Sequence, residues 1–146
     1  IILEQAQELY ANRNKKDKLS FDVSDFDISF ARSLSLEDGA TTLTKFTANI
    51  ISSMISDKLS KLSSKHKKII LCGGGRKNKI LIEKIRKNLN SANIVEFIDD
   101  YGIDGDFVES QAFAFLAIRS YLKLPISFPS TTGCKQPCTG GELIEN

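Results

Sequence analysis

Lys68-Ile69-Ile70-Leu71-Cys72-Gly73-Gly74-Gly75-Arg76-Lys77-Asn78 contains the sharpest change of pattern in the chain. Ile69 to Leu71 is a short apolar run of β-formers, three glycines stop it, and Ile80, Leu81, Ile82, Ile85 and Leu89 then recur at helical spacing. The pattern predicts a strand, a tight turn and a helix from Lys79 to Leu89. Three consecutive glycines give the backbone access to positive φ and clear side chains away from the peptide N–H groups. A turn that opens onto a helix N-terminus also presents unpaired donors at the positive end of the helix dipole, which suits a phosphate or a ribose hydroxyl. The P-loop pattern is absent because no Gly-Lys-Ser/Thr follows, and the spaced glycines of the dinucleotide fingerprint are absent too. Two readings stand on these residues: a nucleotide-binding turn, or a βα turn whose glycines only allow helix and strand to pack closely.

Toward the C-terminus, Ile94-Val95-Glu96-Phe97-Ile98 reads as a second short strand after a turn at Asn90 to Asn93. A β-α-β unit with a short crossover implies parallel neighbours and a right-handed connection. The acidic, glycine-containing loop from Asp99 to Asp106 then lies at the strand's carboxyl end, the edge where open α/β sheets bind ligands. Phe107 to Leu124 is a second helix, with Val108, Ala112, Phe115, Leu116, Ala117, Ile118 and Leu122 expected as a buried stripe, and Pro125 ends it. The tail from Ser127 to Ile144 is turn-rich, with room for no more than short β pieces.

Toward the N-terminus, Ser35-Leu36-Glu37-Asp38 has the form of a capping box opening a long amphipathic helix from Leu36 to Leu62. Phe21 to Phe30 is expected to be loop with a strand piece, and Ile1 to Asn12 a short helix before a polar connection. Two strands are too few for an independent sheet. The chain is therefore expected to dock on strands that it does not contain, and its start at Ile1 suits a piece of something longer.

A chain of 146 residues with 41% hydrophobic and 26% charged residues has the composition of a globular domain and excludes a disordered tail. The formal net charge of +2 is too small to argue for nucleic acid. Locally, Lys58, Lys61, Lys65, Lys67, Lys68, Arg76, Lys77, Lys79, Lys84, Arg86 and Lys87 have only Asp57 at their edge and Glu83 among them as acids. This run reads as a solvated face, with a polyanion footprint as the alternative; no interleaved aromatic residues make a stacking platform. Cys72, Cys134 and Cys138 show no paired spacing and His66 is the single histidine, so no zinc site assembles and all three cysteines read as thiols of a reducing cytoplasm. No apolar run reaches membrane-spanning length.

Four blocks then carry a resemblance. They are Ser35-Leu-Glu-Asp-Gly-Ala-Thr-Thr-Leu-Thr-Lys-Phe-Thr-Ala48; Cys72-Gly-Gly-Gly75 with Asn78; Asp100-Tyr-Gly-Ile-Asp-Gly-Asp106 with Glu109-Ser-Gln-Ala-Phe-Ala-Phe115; and Leu124-Pro-Ile-Ser-Phe-Pro-Ser-Thr-Thr-Gly133 with Thr139-Gly-Gly141. In that order they resemble the C-terminal part of the anhydro-N-acetylmuramic acid kinases. The resemblance implies an α/β fold: the C-terminal lobe of a ribonuclease-H-like, actin and sugar kinase architecture, helix-rich, with a short parallel β-α-β unit and an incomplete sheet. It implies residues 1–34 as an N-terminal helix and connecting segment and 35–146 as the nucleotide-binding lobe. Such a kinase uses ATP with Mg2+ and a water to open the 1,6-anhydro ring and phosphorylate O6, in the cytoplasm.

Carried over, Gly73, Gly74 and Gly75 correspond to the adenosine-side loop and Asn78 to the polar residue opening its helix. Glu109 corresponds to a glutamate near the sugar, with a dipole-favoured acid in a first helical turn as the other reading. The general-base aspartate and the phosphate loop belong to an N-terminal lobe outside these residues, so no catalytic residue and no metal ligand is expected here. Leu19 and Val23 stand where the family usually has lysine and arginine. Expected partners are ATP, the sugar and the missing lobe, with a homodimer open, no membrane and no nucleic acid. The competing reading is a non-catalytic remnant that holds a nucleotide without chemistry.

Overall fold

A computed structural model describes residue 4 and residues 27–63, 67–89 and 93–144. The expected N-terminal helix, most of the segment before residue 34, His66 and most of the Asn90 to Asn93 turn lie outside the described residues. The chain divides into two compact units, Ile1–Gly105 and Asp106–Asn146.

The first unit starts its long helix where the capping box places it. Ser35 Oγ accepts the Asp38 N–H at 3.1 Å, and α1 runs Leu36–Ser60 with Glu37 and Asp38 in its first turn, favourable to the helix dipole. Strand β1, Lys67–Leu71, leads through the glycines to α2, Lys79–Asn88, and then to β2, Asn93–Phe97. The two strands form a two-stranded parallel sheet, with Ile69 opposite Val95 and Leu71 opposite Phe97. This is the expected β-α-β unit, in a sheet that is not closed.

Side-chain alternation decides which sheet face is covered. Ile69, Leu71, Val95 and Phe97 pack against a cluster of Ala48, Ile82, Ile85 and Leu89, joined by Ile51, Ile55 and Leu81. Ala48 is fully buried, and its small side chain suits the close approach of α1 to α2, which Asn88 Nδ2 donating to Asn49 Oδ1 at 2.7 Å also ties. Ile70 and Ile94 point to the other face and stay 46% and 49% exposed. Parallel sheets are normally covered on both faces. Here the described residues cover one.

Ser29–Ala31 is a 3-10 turn, with the Ser29 N–H donating to Asp27 Oδ1 at 2.8 Å, and the rest of the segment expected to be loop with a strand piece, residues 21–26, lies outside the described residues. Nearby, Phe30 packs edge-on against Phe46 with ring centroids 5.2 Å apart.

In the second unit, α3 spans Val108–Tyr121, followed by a tight turn with Lys123 at φ 58°. A four-residue helix, Pro129–Thr132, and an antiparallel bridge between Ser127 and Cys138 organise the tail. The stripe expected to be buried on α3 is not: Phe115, Ile118 and Leu122 are each more than half exposed, Ala112 and Ala117 are exposed, and Val108 and Leu116 are half-buried. Periodicity identified a face suited to burial; around its C-terminal half, Ile126 and Gly140 to Leu143 of the unit's own tail line a cavity with it. A cavity of about 760 Å³ remains there.

Candidate functional site: the glycine turn and its clasp

Of the three glycines, only Gly73 needs to be glycine for its own backbone. It sits at φ 79°, ψ 169°, a region that other residues enter only under strain. Gly74–Lys77 then forms a 3-10 turn, and Asn78 Oδ1 accepts the Leu81 N–H at 3.1 Å to cap α2. That capping commits one atom of Asn78 and leaves its amide NH2 as the group that a ligand could use. A Cβ added at Gly73 or Gly74 would meet nothing within 4 Å, and one at Gly75 would only touch Leu81 Cδ2 at 3.9 Å. Close packing of helix on strand is therefore not what requires these glycines. The space above the turn is open.

The residue that holds the turn was assigned from sequence to a solvated basic face. The side chain of Arg76 is only 8% exposed. Its Nε donates to Asp99 Oδ2 at 2.7 Å, its Nη2 to Asp99 Oδ1 at 2.8 Å, and its Nη1 to the Gly73 carbonyl at 3.1 Å. The two-point bond to a carboxylate is the strongest geometry open to a guanidinium. Gly105 closes the arrangement: its N–H donates to Asp99 Oδ1 at 3.3 Å and its carbonyl accepts the Gly73 N–H at 2.9 Å. The acidic loop after β2 thus grips the glycine turn after β1. No local pattern announces this pairing, because Arg76 and Asp99 meet only once the strands lie side by side.

The other acids of the loop have smaller tasks. Asp100 Oδ2 accepts the Phe97 N–H at 3.0 Å, and Asp104 Oδ1 lies 3.8 Å from Arg76 Nη2. On the open face of the sheet Lys68 Nζ lies 3.0 Å from Glu96 Oε2 and 2.6 Å from Tyr101 Oη, which itself donates to Glu96. The Tyr101 bond, then the ion pair, raises the Lys68 pKa and lowers that of Glu96.

Arg76 holds the Asp99 carboxyl well below the usual carboxylate range. A depressed folded-state pKa contributes stability that is present above the unfolded value, about 3.9, and is lost as pH falls through the folded value. Asp99→Asn should therefore be less stable than the parent chain above about pH 4 and converge with it in stronger acid. Urea midpoints across pH 2 to 7 check this, and parallel curves at all pH would refute it.

A model of the family described as anhydro-N-acetylmuramic acid kinase matches residues 16–146. The chain belongs to the anhydro-N-acetylmuramic acid kinase family. An anhydro-N-acetylmuramic acid kinase of Pelagibacter ubique is 52% identical over 146 residues, covering 100% of this chain and 39% of that relative. The kinase of the same name from Zymomonas mobilis is 42% identical over 124 residues, 85% of this chain and 32% of the relative. That of Rhizobium rhizogenes is 42% identical over 126 residues, 86% and 32% respectively. The chain thus spans between about a third and two-fifths of the length of these relatives.

Within this kinase family member, Glu109 stands in the first turn of α3, exposed, in the second compact unit. Cys72, Cys134 and Cys138 are free thiols, and desolvation, then the neighbouring Cys134, pushes the Cys138 thiol up. Among the described residues no three histidine, cysteine or acidic side chains converge on a metal position. No helix of the described residues is long and apolar enough to cross a membrane.

Proposed function

We propose that this chain is the nucleotide-side lobe, ribonuclease-H-like in fold, of a cytoplasmic kinase. The reaction is phosphorylation of 1,6-anhydro-N-acetylmuramic acid by ATP, with hydrolytic opening of the ring. One observation carries the reading: the turn at Gly73 to Gly75 is open above and has no packing reason for its glycines, and the Gly74 and Gly75 N–H groups have no hydrogen-bond partner among the described residues. Those N–H groups and the Asn78 amide are donors suited to ribose hydroxyls or phosphate oxygens. Glu109 is the acid that would accept a hydrogen bond from a sugar hydroxyl or orient the attacking water. Arg76 is not free to contact phosphate, because Asp99 and Gly73 occupy its guanidinium. Mg2+ is commonly held through substrate phosphates rather than by a dedicated protein cage. Phosphoryl transfer needs phosphate donors, metal and base together. The general base of this reading lies outside the present residues.

Calorimetry of the chain with ATP and magnesium tests the nucleotide site. Saturable binding is expected, weakened about tenfold by Gly74→Asp, which sets a negative charge among the donors. A parent chain that does not bind ATP would sink the reading. Mixing the chain with the N-terminal portion of a relative should restore sugar phosphorylation; ATP binding without restored transfer would leave the non-catalytic module as the function.

A further inference from the structure

Three residues that the nucleotide reading does not use come together beneath the glycine turn. The Arg76 side chain is largely covered by a loop that begins 23 residues later in the chain, with its guanidinium spread over Asp99 and the Gly73 carbonyl. Gly105 is buried, and a Cβ on it would stand 2.5 Å from Arg76 Nε and 2.6 Å from Cζ. Its φ is not in the left-handed region, so its own backbone would accept alanine. What forbids a side chain there is the guanidinium. Gly105 is therefore a glycine because Arg76 occupies the space that a Cβ would take, and the pair of backbone bonds between Gly105 and Gly73 and between Gly105 and Asp99 completes the fit.

Resting on the nucleotide reading above, we infer that Arg76, clasped by Asp99 beneath Gly105, is a positioning residue for the Gly73 to Gly75 turn and so sets its affinity for the adenosine part of ATP. The chemistry follows from where the bonds fall. Gly73 has its N–H held by Gly105 and its carbonyl held by Arg76, so the peptide groups on both sides of the residue are fixed. The next two N–H groups, of Gly74 and Gly75, have no hydrogen-bond partner among the described residues. A turn fixed before the ligand arrives loses less conformational freedom on binding. Lysine at 76 would keep the charge but lose the two-point bond and its planar fork.

The test uses Arg76→Lys, Asp99→Asn and Gly105→Ala, with the double variant Arg76→Lys/Gly105→Ala. Two quantities are measured: the ATP dissociation constant, and the hydrogen-exchange rates without nucleotide of the two bonded amides of the turn, Gly73, which donates to the Gly105 carbonyl, and Arg76, which donates to the Gly73 carbonyl. Each single change should weaken ATP binding about tenfold, the scale of one lost charge-assisted hydrogen bond, and the double change no more than either single, since all remove one contact. The Gly73 and Arg76 amides should exchange about tenfold faster, with the Ile82 and Ile85 amides of α2 unchanged. Unaltered Gly73 and Arg76 amides in all three variants overturn the inference whether or not ATP binds. Accelerated amides with ATP affinity within about twofold of the parent overturn it as well. If the parent chain itself fails to bind ATP the nucleotide reading falls, and the exchange data alone decide whether the clasp fixes the turn.

Discussion

Ile85→Ala is expected to lower the unfolding free energy by about 2–5 kcal/mol, the range for truncating a buried aliphatic side chain and leaving a cavity. Ile85 is 2% exposed and sits among Ala48, Ile82 and Leu89, where α2 meets α1 and the covered sheet face. The helices have little freedom to collapse onto the gap, because the capping bond at Asn78 and the Asn49 to Asn88 bond fix both ends of α2. A urea midpoint that falls with an unchanged slope is the expected signature. Phe113→Ala is the contrast: Phe113 is a larger side chain on α3, but 65% exposed, and its loss should change stability by no more than about 0.5 kcal/mol. Equal losses for the two variants would mean that the α3 face is covered in solution, by a second copy or otherwise.

Gly73→Ala is expected to be the most damaging change in the turn. Nothing stands within 4 Å of the added methyl, so a contact argument would predict no effect. The backbone argument predicts the opposite, because φ 79° with ψ 169° belongs to a region costing other residues about 1–3 kcal/mol. If the clasp holds the turn in place, that strain appears as lost stability; if the turn relaxes, it appears as ATP affinity lower by roughly five- to 150-fold. Gly74→Ala is the control for backbone strain, with an ordinary φ and open space, and should change stability little. Calorimetry and thermal melting of the two variants check this, and a Gly73→Ala chain matching the parent in both would refute the turn geometry.

The alternation and periodicity around residues 67–97 were enough to place β1, α2 and β2 and their parallel pairing, because strand and helix patterns are local and the crossover admits one sensible connection. The Ser35 cap was legible for the same reason: donor and acceptor stand three residues apart. Family membership was legible too, since it rests on the order of short motifs. Other features lay beyond local pattern. The periodic face of α3 showed which side of the helix is apolar but not whether anything covers it, which depends on residues distant in the chain or outside it. A row of lysines and arginines read as one solvated face, and Arg76 left that row because a carboxylate 23 positions away reaches it across two strands. The triplet of glycines announced a permissive turn, while only the folded chain separated Gly73, which needs its backbone freedom, from Gly74 and Gly75, which leave room. The sequence by itself determined the elements, their pairing and the family. Tertiary structure alone decided which charges meet and which apolar faces stay open, because both depend on contacts between residues that no local period relates.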